Sequence, residues 1–347
     1  MNRRSFSTTL CAALPALAFS SINFPLPMNA PAPKPRKANR LKKGDVIGLI
    51  APGSALSDDK IQKAHQNLEA MGFSVKMGQH LSAQKGYLAG TDEQRLGDLH
   101  QMFADPQVKG IWCARGGYGC TRLLPSIDYR LIKNQPKVLI GYSDITALLQ
   151  AIHCQTGLIG FHGPLASSDF NDYVVANLEA VLMEAREDVL LENAKANLDK
   201  EDPIYHPRII ASGQASGPLV GGNLSLIAAM SGTKYDWMVK NKLLFLEDIG
   251  EKPYRIDRML TQLLQTHSLK KAAAIVLGIF SGCEAKEGDQ SLSLMDTFKD
   301  RLSHLGIPVI YGMSFGHIDH QFVLPVGAKA SLDTQTQRLR LLESAVQ

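Results

Sequence analysis

The stretch Val138-Leu139-Ile140-Gly141-Tyr142-Ser143-Asp144-Ile145-Thr146 runs from an apolar strand directly into a helix, with a serine at the corner. Lys137 to Tyr142 read as a buried strand. Ile145, Leu148, Leu149 and Ile152 then keep the spacing of one helix face until Gly157 stops it. A serine at such a corner holds its hydroxyl at the carboxyl edge of the sheet and at the positive end of the helix dipole, where α/β hydrolases place a nucleophile. The context matches a nucleophile elbow, although Gly141-Tyr142-Ser143-Asp144 lacks the second glycine of the usual form. Serine is also a good helix N-cap, and on this segment alone capping accounts for Ser143 without catalysis.

On either side, short apolar runs alternate with amphipathic stretches, the pattern of a parallel sheet covered by helices. Residues 46–51, 74–77, 108–113, 137–142 and 158–161 read as strands. Ser57 precedes a helix with Ile61, Ala64, Leu68 and Met71 inward, and Thr91-Asp92-Glu93-Gln94 forms a capping box before Leu96, Leu99, Met102 and Phe103. A helix over 174–186 closes an N-terminal α/β domain of residues 45–191. The polar stretch 192–207 has no clear period and reads as a linker. Beyond it, strands at 243–246, 273–277 and 308–311, a helix at 255–265 and a hairpin of 330–333 with 338–342 make a C-terminal domain of residues 208–347. A length of 347 residues suits two such domains.

Three further segments follow strands in the same way. Cys113-Ala114-Arg115-Gly116-Gly117-Tyr118-Gly119 has three glycines in four residues, so backbone N–H groups can converge on an anion, as a tetrahedral intermediate requires. The spacing is neither that of a dinucleotide loop nor that of a P-loop. Phe245-Leu246-Glu247-Asp248 puts two acids at the end of a buried strand, where a carboxylate needs a partner. Ser314-Phe315-Gly316-His317 gives a histidine room beside a glycine. Serine, acid and histidine thus lie on post-strand loops, the edge where open α/β sheets collect their sites, in an order compatible with a hydrolase triad.

Composition narrows the classes. The chain is 45% hydrophobic and 20% charged, outside the range of disordered, collagen-like or disulfide-dense proteins. Its net charge of +4 is uneven: residues 1–44 hold eight Lys and Arg and no acid, which leaves 29 basic against 33 acidic residues, a net −4, from residue 45 onward. The surplus gives no reason to expect a nucleic-acid partner. Arg3-Arg4-Ser5-Phe6, the apolar stretch behind it and Ala16-Leu17-Ala18 read as an export signal of twin-arginine form within residues 1–30, which implies a periplasmic location. That stretch is too short, and too interrupted by Pro15, for stable membrane insertion. Residues 31–44, basic and proline-rich, read as a disordered tether. The five cysteines, at positions 11, 113, 120, 154 and 283, show no metal-ligand spacing, so no metal, no cofactor and no obligatory disulfide is expected. Cys113, Cys120 and Cys154 are expected to pack as small buried residues.

The segments Arg115-Gly116-Gly117-Tyr118-Gly119, Ile140 to Thr146, Phe161-His162-Gly163-Pro164, Leu246-Glu247-Asp248 with Pro253 to Arg258, and Phe315-Gly316-His317 with Leu324-Pro325-Val326-Gly327 resemble, in order, those of the serine-type LD-carboxypeptidases. That family comprises muramoyltetrapeptide carboxypeptidases and microcin C self-immunity hydrolases. The resemblance implies a flavodoxin-like parallel sheet carrying the nucleophile and a smaller mixed α/β C-terminal half supplying acid and histidine. Carried over by position, the nucleophile falls on Ser143, the acid on Glu247 and the histidine on His317. The backbone N–H groups of Gly117 and Asp144 are candidates for the oxyanion hole. Arg115 is a candidate for the substrate's terminal carboxylate, or else it holds the loop. The implied reaction releases D-alanine from a peptidoglycan tetrapeptide, and a homodimer is implied as well. Two alternatives stand beside it: hydrolysis of an aminoacyl-sulfamoyl adenylate, which an aromatic side chain placed to stack on adenine, with Trp112 and Trp237 the tryptophans present, would favour, and a periplasmic binding protein without turnover.

Overall fold

Five strands, Val46–Ile50 (β1), Ser74–Met77 (β2), Val108–Cys113 (β3), Val138–Gly141 (β4) and Gly160–His162 (β5), pair in parallel in the order β2-β1-β3-β4-β5. The computed structural model describes residues 33–236 and 239–347. The strand order is the flavodoxin one, with its switch point between β1 and β3, and ligands of such sheets bind outside the carboxyl ends of the strands. Helices Asp58–Ala70, Asp92–Ala104 and Thr146–Thr156 accompany the strands. Ile47, Leu49, Ile111, Trp112, Leu139 and Ile140 are fully buried, which explains runs without polar alternation. The capping box forms as read: Thr91 Oγ1 accepts from Gln94 N at 3.2 Å, and Gln94 Oε1 from Thr91 N at 2.8 Å.

The second sheet is mixed. It contains Val189–Leu191 (β6), Arg208–Ala211 (β7), Gln214–Asn223 (β8), Leu243–Glu247 (β9), Ala274–Leu277 (β10), Val309–Tyr311 (β11), Lys329–Asp333 and Arg338–Leu341; with Leu324–Val326 as β12, the last two are β13 and β14. Its order is β6-β14-β13-β8-β9-β10-β11-β7, with β8 to β11 parallel and the outer strands antiparallel. The sheets exchange strands. β12, from the C-terminal half, adds antiparallel to β5 with Leu324 opposite His162, while β6 from the N-terminal half pairs with β14. The exchange is one for one, so the sheets keep six and eight strands, and the C-terminal half, read as the smaller one, builds the larger sheet.

Several expectations change. Residues 192–207 are not a free linker: Asn197 is buried and its Nδ2 donates to Ser314 Oγ at 3.0 Å and to the His320 carbonyl at 2.8 Å. The segment braces the loop that carries His317. The tether is ordered from residue 33: Arg36 bridges to Leu158, Ala38 and Leu41 are buried, and Arg40 N donates to the Gln347 carbonyl at 2.8 Å. The proposed export signal lies outside the described residues. The helix read over 174–186 is α-helical over Asp172–Leu178 and then widens to a π-helix over Glu179–Met183. Cys113 and Cys120 are buried and Cys154 is half-buried.

The ten-residue β8 escapes sequence reading because it contains Gly217, Pro218, Gly221 and Gly222, residues that weaken a strand assignment. Gly221 has φ +144°, and a Cβ there would lie 1.7 Å from the Phe245 carbonyl oxygen on β9. Gly221→Ala is therefore expected to destabilise the fold by about 3 kcal/mol or more, above most point substitutions, read as a lower urea midpoint with the m-value unchanged.

Candidate active site

The loop after β4, the end of β9 and the loop after β11 bring three residues into one hydrogen-bonded chain. Ser143 Oγ lies 3.0 Å from His317 Nε2, and His317 Nδ1 lies 2.7 Å from Glu247 Oε2. With the proton on Nδ1, the imidazole donates to Glu247 and accepts from the serine hydroxyl. Ser143 has φ +64°, the left-handed region that serine rarely adopts, and it makes no cap bond; its hydroxyl is turned to the histidine instead. The N-cap reading fails for that reason.

Glu247, the last residue of β9, is 0% exposed. Burial pushes its carboxyl up, but the charge and hydrogen bond of His317 outweigh this and the net direction is down. Conversely, burial pushes His317 down, the attraction of Glu247 and its hydrogen bond outweigh it, and the imidazole is raised above its ordinary value. Asp248 is occupied elsewhere. It accepts from Asn223 Nδ2 at 3.0 Å, Ser225 N at 2.9 Å, Ser225 Oγ at 2.8 Å and Ile249 N at 2.9 Å, and burial followed by the Glu247 charge pushes it up to about 6. Geometry thus assigns the histidine contact to Glu247. Gly316, at φ +118°, gives the histidine loop room: a Cβ there would lie 2.7 Å from the Ile279 carbonyl and 3.2 Å from the Glu247 Cβ. Ser281 Oγ donates to the His317 carbonyl at 2.9 Å and fixes the same loop.

The glycine loop packs on the nucleophile turn. A Cβ on Gly116 would stand 3.1 Å from Ser143 Cβ and 3.2 Å from Asp144 N. Among the described residues, the N–H groups of Gly117 and Asp144 have no hydrogen-bond acceptor.

Two sequence profiles match the chain, the LD-carboxypeptidase N-terminal domain over residues 47–163 and the LD-carboxypeptidase C-terminal domain over residues 216–332, together more than half of it. The chain belongs to the LD-carboxypeptidase family. It is 40% identical to the probable murein peptide carboxypeptidase of Bacillus subtilis over 310 residues, 89% of this chain and 95% of that one. Over 292 residues it is 37% identical to the murein tetrapeptide carboxypeptidase of Pseudomonas aeruginosa, 83% of this chain and 92% of that one. The crystal structure of a muramoyltetrapeptide carboxypeptidase from Oxalobacter formigenes superimposes with a TM-score of 0.73 at 31% identity, covering 85% of this chain and 97% of that one.

In this LD-carboxypeptidase, residues invisible as site members in the sequence set the loops. Ser54, after β1, donates its N–H to the Gly116 carbonyl at 2.9 Å and accepts from Tyr118 N at 3.0 Å through Oγ. Buried Arg95 donates to the carbonyls of Pro52 and Gly119 and, at 2.5 Å, to Asp92 Oδ1. Asp144, buried and raised by its burial, accepts from Cys120 N at 2.8 Å. The only signals were Ser54 standing at the switch point and Asp92 three residues before Arg95. Arg115 donates to the Ala55 carbonyl, so the structure places its guanidinium on the loop. Trp112 is fully buried and donates to the Pro164 carbonyl at 2.8 Å, so it is not available to stack on a base; Trp237 lies outside the described residues.

Glu247→Gln removes the charge that raises His317 and leaves burial to act alone. The His317 imidazole is expected to titrate above the ordinary value of about 6.5 in the wild type and below it in the variant, followed by NMR. The raised histidine contributes stability that is complete below about pH 6.5 and lost as pH rises through its folded-state pKa.

Proposed function

We propose that this serine-type LD-carboxypeptidase removes the terminal D-alanine from peptidoglycan-derived muramoyl tetrapeptides, with Ser143 as nucleophile, His317 as general base and acid, and Glu247 as the orienting acid. The observation that carries the reading is the unbroken chain Ser143–His317–Glu247 with the serine held in a strained turn. His317 takes the Ser143 proton as Oγ attacks the carbonyl between the L-centre of the third residue and D-alanine. It then returns the proton to the leaving amine. Glu247 holds the imidazole in the productive tautomer and stabilises the imidazolium. The N–H groups of Gly117 and Asp144 receive the negative oxygen, a role that their position against the nucleophile turn supports.

The murein peptide and tetrapeptide activities named for the relatives support this substrate class. A strained serine hydrogen-bonded to a histidine favours turnover over a binding protein, since binding alone requires neither feature. Export to the periplasm through the twin-arginine segment Arg3-Arg4-Ser5-Phe6 and assembly as a homodimer belong to the same proposal. Fractionation with and without residues 1–30, and light scattering, test these; cytoplasmic recovery of both forms, or a monomer, would remove them.

Purified protein incubated with the disaccharide tetrapeptide is expected to release D-alanine, and Ser143→Ala to lose about four to six orders of magnitude in kcat. No release by the wild type would sink the assignment. Gly116→Ala, which pushes the glycine loop off the nucleophile turn, is expected to lower kcat by up to about 10² to 10³, the range for one lost oxyanion donor, more than it changes KM.

A further inference from the structure

His162, the last residue of β5, belongs to none of the parts assigned above. It is 0% exposed, and neither ring nitrogen has a hydrogen-bond partner among the described residues. Its ring meets those of Tyr142, Phe245 and Phe315 edge-on, at centroid distances of 6.0, 5.4 and 6.3 Å. Each of these neighbours precedes a triad member by one or two positions: Tyr142 before Ser143, Phe245 before Glu247, Phe315 before His317. Tyr142 itself stands edge-on to the His317 ring at 4.8 Å. His162 therefore touches all three elements that deliver the triad.

A phenylalanine would fill this box without burying unpaired nitrogens. Packing accounts for the ring and not for its nitrogens. Glu247 Oε1 is also buried and also has no partner among the described residues, and this carboxylate and the His162 ring act on each other electrostatically. The other titratable groups here are His317, Tyr142 and, beyond Glu247, Asp248. Burial brings His162 down to about 4, so at neutral pH the ring offers an N–H dipole and no charge.

We propose that His162 is a positioning residue of the reaction, a neutral buried dipole that steadies Glu247 and moderates its pull on the His317 proton. The proposal rests on the triad reading above. The ring dipole, buried with the carboxylate and acting on it electrostatically, takes up part of its charge. Without that dipole the whole charge acts on His317, whose proton is held more tightly and is harder to pass to the leaving amine.

His162→Phe and His162→Gln separate this from packing. His162→Phe is expected to melt at or above the wild-type Tm, yet to lose about 3- to 10-fold in kcat, less than a hydrogen bond to a charged group supplies, since His162 makes none among the described residues. KM should stay within about twofold, and the His317 titration followed by NMR should move to higher pH. His162→Gln keeps an N–H donor and should recover part of both. The proposal is wrong if His162→Phe keeps the wild-type kcat and His317 titration. It is equally wrong if kcat and Tm fall together in both variants, which marks a packing role. Because the titration is read without substrate, its outcome stands apart from D-alanine release by the wild type, which tests the functional reading itself.

Discussion

The hydrogen bond between Ser143 and His317 spans 3.0 Å in space and 174 positions in the chain, and its two ends leave different sheets. Such a bond fades within a few tenths of an ångström, so the sheets must be held in register to that tolerance. Three ties, in addition to the triad, do so. β12 crosses into the first sheet next to His162, β6 crosses into the second, and Asn223 N at the end of β8 donates to Thr146 Oγ1 at 3.0 Å, at the start of the helix behind the nucleophile. Gly222 lets that last approach happen: a Cβ there would lie 2.5 Å from Thr146.

Around the triad, buried polar groups act as braces. A buried charge is costly unless paired, and Arg95, Asp144 and Asp248 each meet the requirement by holding a loop. Arg95 joins the turn after β1 to the glycine loop, Asp144 joins the nucleophile turn to the same loop, and Asp248 holds the start of the helix Leu224–Met230. The nucleophile's positive φ persists because these neighbours over-determine it.

Much of this was legible in the sequence. Parallel strands announce themselves by unbroken apolar runs, the capping box at Thr91 fixes a helix start, and the three post-strand loops lie at the edge where sites collect. What escaped did so for stated physical reasons. β8 is rich in glycine because its neighbours approach too closely for side chains, so it lacks the very pattern by which strands are read. Residues 192–207 look like a linker because their polar side chains, Asn193 and Asn197 among them, bond Ser314 in place of solvent. Between Glu247 and Asp248, composition could not choose; the family resemblance pointed to Glu247, and in space it is Glu247 that meets His317. Arg115 illustrates the same limit, since its type suits a carboxylate while its position gives it a backbone carbonyl.

The strand exchange also sets an order for folding. Until β12 arrives, β5 is an edge strand with its ladder groups unpaired on one side, a template for association with other chains. β12 begins at Leu324, so the first sheet stays open until most of the chain has been synthesised, and pairing it requires closure across nearly half of the sequence. The half that carries the serine is thus not an independent folding unit. A fragment ending before residue 324 would keep its nucleophile strand and lose the strand that seals its sheet.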